Sequence, residues 1–515
     1  MNNINILWTD DEIELLKPHI IFLEEKGYNV TTANSGDQAL DLIADKHFDI
    51  VFLDENMPGL SGLQTLEQLK AKLPSLPVIM ITKSEEEFIM DEAIGSKISD
   101  YLIKPVNPNQ ILLSIKKNLD THRLVSEKTT TGYQQQFREI GMRLNDRLDH
   151  NDWVEVYEKL IYWELEMEHS ESGMMEVLQM QKSEANHMFS RFIAENYEAW
   201  LHDPADAPLM SHNLFKHKVA PLIKQQESTF FVVIDNLRLD QWKVIKPLIN
   251  ELFWTEEESV YYSILPTTTH YCRNALFAGL MPSEIEKTHP KLWLNDEDQG
   301  GKNLHEKEFI GSQLKRLGKD VKYSYNKVLN MDYGKKLADQ IPNLFSNPIN
   351  VIVYNFVDML SHARTDTEII RELAEDESAY RSLTLSWFEH SPLYEALKQI
   401  AAKKGKLVIS TDHGSIRVKE PVKIVGNKDT NTNLRYKQGK NLTYDTKDVF
   451  EVRKPENIYL PKVNVSQQFV FANSDGFFAY PNNYNHYVKH YRDTFQHGGI
   501  SLEEMLIPVV TLSAK

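Results

Sequence analysis

Five times within the first 120 residues a short apolar run gives way to an amphipathic stretch, and this alternation narrows the available folds more than any other feature. Ile4–Trp8, Tyr28–Ala33, Phe48–Leu53, Val78–Thr82 and Tyr101–Ile103 have the length and apolar content of strands. Between them, segments such as Asp11–Lys26 and Gly62–Lys72 carry helical periodicity. Strand–helix units repeated in this way build a parallel sheet covered by helices on both faces. In such a sheet, ligands collect at the carboxyl ends of the strands.

The residues at those ends are chemically specific. Asp10 and Asp11 follow the first strand, Asp54 ends the third, Thr82 ends the fourth and Lys104-Pro105 follows the fifth. Three carboxylates brought together suit a hard cation such as Mg²⁺, and a lysine and a hydroxyl beside them would neutralise and hydrogen-bond a phosphoryl group carried on one carboxylate. Taken singly, Asp10 and Asp11 would read as a helix cap and Asp54 as a strand end. In this order the five resemble a response-regulator receiver domain over residues 1–120, carried by Asp10-Asp11, Asp54-Glu-Asn-Met-Pro-Gly59, Thr82 and Tyr101-Leu-Ile-Lys104-Pro105. The resemblance implies that Asp54 accepts phosphate from a histidine kinase, that Asp10, Asp11 and Asp54 bind Mg²⁺, and that Thr82 and Tyr101 switch with phosphorylation alongside Lys104. Lys83, after Thr82, departs from the small residue usual there and would crowd the phosphoryl group.

Within the segment 121–218, no strand-like run occurs from about Gly132 to Lys218. Phe137–Leu148, Trp153–Met167 and Met174–Trp200 show helical spacing, with Trp153, Tyr157, Leu160 and Ile161 on one stripe and Phe189, Phe192 and Ile193 on another. This predicts a helical connector or small bundle. His169, His187, His202, His212 and His217 have no ligand spacing and read as surface residues, and Met174, Met175, Met180 and Met188 read as core. A helix-turn-helix unit with a basic recognition helix is missing, and net charge is −17, from 57 Lys plus Arg against 74 Asp plus Glu. Both argue against direct promoter DNA binding.

From residue 219 onward, apolar strands run into metal-competent residues. Thr229–Ile234 ends at Asp235; Asn350–Val357 ends at Asp358, with His362 one helical turn on; Lys406–Ser410 leads to Thr411-Asp412-His413-Gly414; and Phe495–Gly499 contains His497. Asp358 and His362 share a helix face, and Asp and His together suit Zn²⁺, and Mn²⁺ or Fe²⁺ less selectively. Thr267, Thr268 and Thr269 precede Tyr271–Gly279, and a hydroxyl at a helix start sits where an anion is attracted, although threonine also caps helices. The single cysteine, Cys272, excludes an internal disulfide or a thiolate zinc cluster and reads as a packed thiol.

Asp235, Pro266–Thr269 with Gly279, Asp358-x-x-x-His362, Thr411–Gly414 and His497-Gly-Gly499 resemble the alkaline phosphatase superfamily, and within it the PglZ-type branch, over residues 219–515. That resemblance implies two zinc sites: Asp235, Asp412 and His413 with the Thr269 hydroxyl, and Asp358, His362 and His497. Thr269 stands ten residues before Gly279, as the family nucleophile does before its glycine, while Thr268 stays a candidate. Metals ~4 Å apart would clamp an in-line displacement in which Thr269 attacks phosphorus. Asn274 or Arg273 would steady a phosphoryl oxygen, or lie at the surface. Residues 415–465 hold eleven Lys or Arg against six Asp or Glu, with Tyr436, Tyr444 and Tyr459 interleaved, which reads either as a solvated insertion or as a lid that stacks bases. No group for a doubly charged terminal phosphate is visible, which points to a phosphodiester, a nucleotide or oligonucleotide.

The overall expectation is a flavodoxin-like receiver, a helical connector and a large alkaline-phosphatase-like α/β domain. This order resembles PorX-type response regulators of the Bacteroidetes type IX secretion pathway. That resemblance implies a zinc-dependent phosphodiesterase, a sensor kinase, an extracytoplasmic-function sigma factor and a secretion motor component as partners, and a homodimer when phosphorylated. The alternative is a zinc-bound docking module with little turnover. With no run of about 18 apolar residues and no signal peptide, a cytoplasmic location is expected.

Overall fold

A computed structural model of the chain describes residues 4–73, 76–83, 98–115, 118, 121–168, 174–203, 205–366, 374, 376–427 and 430–515, without the side chains of 121–131, 134 and 362–366. It divides into two units, Met1–Gln134 with Ser170–Ser172, and Gln135–His169 with Gly173–Lys515.

In the first unit, β1 (Asn5–Thr9), β2 (Asn29–Ala33), β3 (Ile50–Asp54), β4 (Val78–Thr82) and β5 (Asp100–Ile103) form one parallel sheet in the order β2-β1-β3-β4-β5. This is the flavodoxin-like order, with its switch point between β1 and β3. Side chains alternate across each strand. Leu7, Val51, Leu53 and Met80 pack one face with Leu40, Leu66 and Leu69, while Ile6, Trp8, Phe52 and Ile81 pack the other with Leu23, Ile111 and Ile115. The helices are α1 (Lys17–Glu25), α2 (Gly36–Asp45), α3 (Gly62–Lys72) and α4 (Pro108–Ile115). The predicted helix from Asp11 divides: Ile13–Leu16 is a 3₁₀ turn, and Pro18 sits in the first turn of α1, where its missing N–H costs nothing.

Three long helices follow, α5 (Thr121–Asn145), α6 (His150–Met167) and α7 (Met174–His202). Asp149 caps α6 through a reciprocal box with Asp152. The predicted stripes are buried except for the half-buried Phe192, and Trp153 meets Phe189 edge-on at 5.4 Å between ring centroids. Two expectations fail here. Met180 is 74% exposed rather than core, and Met174, Met175 and Met188 are only half-buried. His212 is half-buried rather than a surface residue, and burial pushes its pKa down to about 4. His169 lies outside the described residues.

The second unit is built on a six-stranded sheet. Its strands are β6 (Thr229–Ile234), β7 (Phe253–Tyr262), β8 (Tyr323–Val328), β9 (Ile349–Tyr354), β10 (Lys406–Ser410) and, at the chain's end, β19 (Leu506–Ala514), in the order β7-β19-β10-β6-β9-β8. Strands β10, β6, β9 and β8 run parallel, and β19 runs antiparallel to both β10 and β7. Helices cover parallel strands on both faces, so β6 and β9 are buried throughout and read as unbroken apolar runs. Between β10 and β19 lies an insertion of short strands: β11 (Ile416–Arg417), β12 (Glu420–Val425), β13 (Tyr436–Gly439), β14 (Thr443–Tyr444), β15 (Val449–Val452), β16 (Gln468–Ala472), β17 (Gly476–Ala479) and β18 (Phe495–Gln496). They pair as β11-β18, β14-β12-β17 and β13-β16-β15. Tyr436 is buried here among Phe469 and Phe471, so it packs and offers no open face for a base.

Candidate functional site

In the first unit the strand ends bring the predicted residues together. Asp10, Asp11 and Asp54 present carboxylate oxygens within 4.8 Å of one another. Lys104 Nζ lies 2.7 Å from Asp10 Oδ2 and 2.8 Å from Asp54 Oδ1. Burial, together with the neighbouring Asp10 carboxylate, raises the Asp54 pKa, although the Lys104 hydrogen bond opposes this. Burial alone would lower the Lys104 pKa, but its bonds to Asp10 and Asp54 carry it upward. Thr82 and Tyr101 share a side-chain hydrogen bond. Lys83 reaches out to Glu12 at 3.2 Å, both side chains being more than half exposed. The three oxygens form a set suited to Mg²⁺.

In the second unit, β6, β9 and β10 end side by side, and Asp235, Asp358 and Asp412 follow them. Asp235, Asp412 and His413 are fully buried, with one ligand atom each inside a 4.8 Å cluster. The Thr269 hydroxyl lies 3.3 Å from Asp235 Oδ1 and 3.0 Å from His413 Nε2. His413 Nδ1 faces the Gly414 carbonyl at 3.1 Å, so Nδ1 carries the proton and Nε2 presents its lone pair to the cluster. Gly414 is required by close approach, because a Cβ there would stand 2.0 Å from the Glu503 carbonyl oxygen.

The electrostatics call for a cation. Asp412 Oδ2 is buried and accepts no hydrogen bond. Burial and the adjacent Asp235 carboxylate push the Asp412 pKa well above the usual range. Burial would raise Asp235 too, but the Arg273 guanidinium, 2.7 Å away, holds it down. Arg273 also stands 3.6 Å from Asp412 Oδ2, but one guanidinium shared by two dry carboxylates leaves a charge unmet, and an Asp₂His set with a hydroxyl suits zinc.

Asp358 and His497 form a second group. His497 Nε2 is 3.5 Å from Asp358 Oδ1, its Nδ1 is 3.3 Å from the Thr267 carbonyl, and its ring stacks on His413 at 4.3 Å between centroids. The strand before Asp358 stops at Tyr354, earlier than predicted, and Asp358 lies in the first turn of a helix, Phe356–Asp366. His362 belongs to that helix, four residues on, and its side chain lies outside the described residues.

The three threonines have separate surroundings. Thr267 Oγ1 donates to the Gly499 carbonyl at 2.9 Å and accepts the Gly498 N–H at 3.0 Å, which ties it to the His497 loop. Thr268 holds the N-cap of α8 (Thr269–Ala278), where its buried hydroxyl makes no hydrogen bond. Only Thr269 meets the cluster. Gly279 closes α8 with φ 62°, a left-handed conformation that favours glycine. Cys272 is buried against Ser263, and burial raises its pKa far from that of a nucleophile.

Arg273 and Asn274 correct the sequence reading, because neither is at the surface. Arg273 is spent on Asp235 and, at 2.6 Å, on Glu306, and Asn274 donates to the Lys302 carbonyl and accepts from Asn303. Asn303 in turn donates to the Thr269 carbonyl at 3.1 Å. Sequence reasoning missed Glu306, Asn303 and Glu504. Glu504 accepts the Gly499 N–H at 2.9 Å and the buried Arg435 guanidinium at 2.6 Å. Only a carboxylate in a strongly apolar segment hinted at Glu504.

Three families match successive parts of the chain: the response regulator receiver domain at residues 6–116, the PorX response regulator linker domain at 123–201 and the BREX system PglZ alkaline phosphatase-like domain at 214–512. Among curated proteins, the transcriptional regulatory protein ZraR of Escherichia coli K12 is 34% identical over 140 residues, 27% of this chain and 32% of ZraR. The alginate biosynthesis transcriptional regulatory protein AlgB of Pseudomonas putida is 36% identical over 123 residues, 24% of this chain and 28% of AlgB. The chain thus spans about a third of the length of the curated relatives it matches. Among solved structures, a CheY-like receiver domain from Methanospirillum hungatei is 28% identical, covering 23% of this chain and 96% of its own, with a TM-score of 0.23. Vibrio cholerae CheY4 is 26% identical, covering 23% of this chain and 100% of its own, with a TM-score of 0.22. Because the PglZ match alone takes in more than half of the residues, the chain belongs to the PglZ alkaline phosphatase-like family, joined here to a response-regulator receiver domain.

Proposed function

We propose that this protein is a two-component response regulator, phosphorylated on Asp54, whose output is zinc-dependent hydrolysis of a phosphodiester, a nucleotide or oligonucleotide. The observation that carries the reading is the Thr269 hydroxyl, within 3.3 Å of Asp235 Oδ1 and 3.0 Å of His413 Nε2, beside the unbonded Asp412 Oδ2. Asp235, Asp412, His413 and Thr269 would hold one zinc, and Asp358, His362 and His497 the other. Bound zinc supplies a lowered hydroxyl pKa and charge to offset the phosphoryl oxygens.

The chain's own groups do the rest. Thr269 Oγ1 attacks phosphorus and loses its proton, the P–O bond to the leaving alcohol breaks, and that alcohol takes up a proton. Water then cleaves the phosphothreonine ester. Arg273 keeps Asp235 ionised and fixes its orientation, and Asn303 anchors the turn that carries Thr269. Asp10, Asp11 and Asp54 would hold Mg²⁺ in the receiver, with a histidine kinase as phosphodonor, Lys104 on the phosphoryl group and Thr82 and Tyr101 as the switch.

The sigma factor, the type IX secretion motor, a cytoplasmic location and a phosphorylation-dependent homodimer belong to the same reading. Among the described residues, no helix is long and apolar enough to cross a membrane. A docking module alone has no use for a hydroxyl aimed at a buried Asp₂His cluster, which favours hydrolysis.

The test is cleavage of bis(4-nitrophenyl) phosphate against 4-nitrophenyl phosphate, with zinc, by wild type and Thr269→Ala. Diester turnover is expected, falling on the order of 10³-fold or more in Thr269→Ala with zinc still bound. Undiminished turnover in that variant would remove Thr269 as nucleophile.

A further inference from the structure

Helix α7 buries polar residues where an amphipathic helix should bury apolar ones. Lys182, Asn186 and Ser190 stand four residues apart, on one face, and Asn186 and Ser190 are 3% and 1% exposed. Buried polar groups are costly unless hydrogen-bonded, so such a stripe needs a polar counterpart. That counterpart is the segment 500–504, which follows His497-Gly498-Gly499. Asn186 Oδ1 accepts the Leu502 N–H at 2.8 Å, and Asn186 Nδ2 donates to Glu503 Oε2 at 3.0 Å. Lys182 Nζ lies 3.1 Å from Glu503 Oε1 and 2.9 Å from Glu164 Oε2 on α6. Ser190 Oγ lies 3.3 Å from the Ile500 carbonyl and accepts the Ser474 N–H at 3.0 Å.

The far side of the same segment holds the histidines. Glu504 Oε1 accepts the Gly499 N–H at 2.9 Å, and the Glu504 carbonyl accepts the Gly414 N–H at 3.2 Å. Segment 500–504 is therefore gripped by the connector helix on one side and sets the backbone next to His497 and His413 on the other. A carboxylate, an amide and an ammonium fix it, where a purely packing contact would let it slide.

We infer that Asn186 and Lys182, on the connector, are positioning residues for the stacked histidines of the hydrolase site. The inference rests on the metal-site reading above, and it makes the connector a working part of that site. On this reading a change at α7 reaches the site through segment 500–504 and the two histidines, of which His413 contacts the Thr269 hydroxyl.

The experiment compares full-length wild type, Asn186→Leu, Lys182→Met and Lys182→Arg. It measures zinc affinity by competition with a chromophoric chelator and amide hydrogen exchange over residues 498–504. Asn186→Leu and Lys182→Met are expected to keep wild-type far-UV circular dichroism, to bind zinc roughly tenfold more weakly, as outer-layer changes do, and to exchange faster over 498–504. Lys182→Arg is expected to restore both, which a loss of general packing would not predict. Wild-type affinity and wild-type exchange in both Asn186→Leu and Lys182→Met overturn the inference. If wild type binds no zinc, the metal reading fails on its own. Exchange then decides: faster exchange over 498–504 sustains the positioning role, and unchanged exchange ends it.

Discussion

A single buried lysine makes the sharpest statement about individual residues. Lys437 on β13 is 1% exposed and donates to the Asn431 carbonyl at 3.0 Å, with its Nζ 4.8 Å above the Tyr480 ring. Burial lowers its pKa from 10.5 to about 7. Between those values the unfolded chain holds a proton that the folded one gives up, so stability rises with pH across this window and the lysine is a burden at its lower end. That burden is on the order of a few kcal/mol at pH 7 and fades as the pH rises through 10.5, above which both states are neutral. Lys437→Met should therefore melt higher than wild type at pH 7, with the gain shrinking by pH 10. A gain independent of pH, or a loss at pH 7, would show that the contacts to Asn431 and Tyr480 outweigh desolvation.

Among elements, much of the arrangement was legible because Asp235, Asp412 and Asp358 come shortly after apolar strands, and strand ends in a parallel sheet converge. Asp235 and Asp412 were placed from that pattern alone. Strand β9 was overrun because Phe356 and Val357 are apolar, yet they belong to the next helix, and periodicity cannot separate the two over so short a run. Tyr436 was misread for the opposite reason: Arg435 and Lys437 beside it suggested an exposed charged strip, but all three are buried. Arg435 is neutralised by Glu504, 69 residues away, and no local pattern carries such a pairing.

Two element-scale outcomes follow. Asp149→Ala removes the Oδ1 that accepts the Asn151 and Asp152 N–H groups at the start of α6 and should lower stability by about 1 kcal/mol in urea unfolding. At the end of β4, Lys83 spans toward Glu12, outside Lys104 and Asp54. Lys83→Ala should open the phosphorylated carboxylate to water and shorten the life of phospho-Asp54 several-fold, measured by Phos-tag gel after acetyl phosphate is removed. An unchanged half-life would mean that this exposed pair leaves water's path open.

For the whole molecule, the two sites differ in what can move them. The cluster of Asp235, Asp412 and His413 is buried, Arg273 ties Asp235 to Glu306, and Glu504 holds the Gly499 N–H two residues from His497, so these side chains resist small displacements. Asp54, by contrast, sits with Asp10 and Lys104 in a site that changes charge when phosphorylated. A phosphoryl group can regulate hydrolysis only as far as it favours one conformational or oligomeric state over another. On the proposed reading Asp54→Ala separates the two functions, because Asp54 is not among the residues proposed to hold zinc. This variant should bind zinc and cleave the diester at the unstimulated wild-type rate. Beryllofluoride should shift wild type toward a dimer in sedimentation velocity and alter its rate, and should do neither in Asp54→Ala. A dimer shift in wild type without a rate change would assign phosphorylation to assembly and partner capture, leaving hydrolysis constitutive. A rate change without a dimer would instead put the control inside one chain, where the contacts of α7 with segment 500–504 are the first place to look for it.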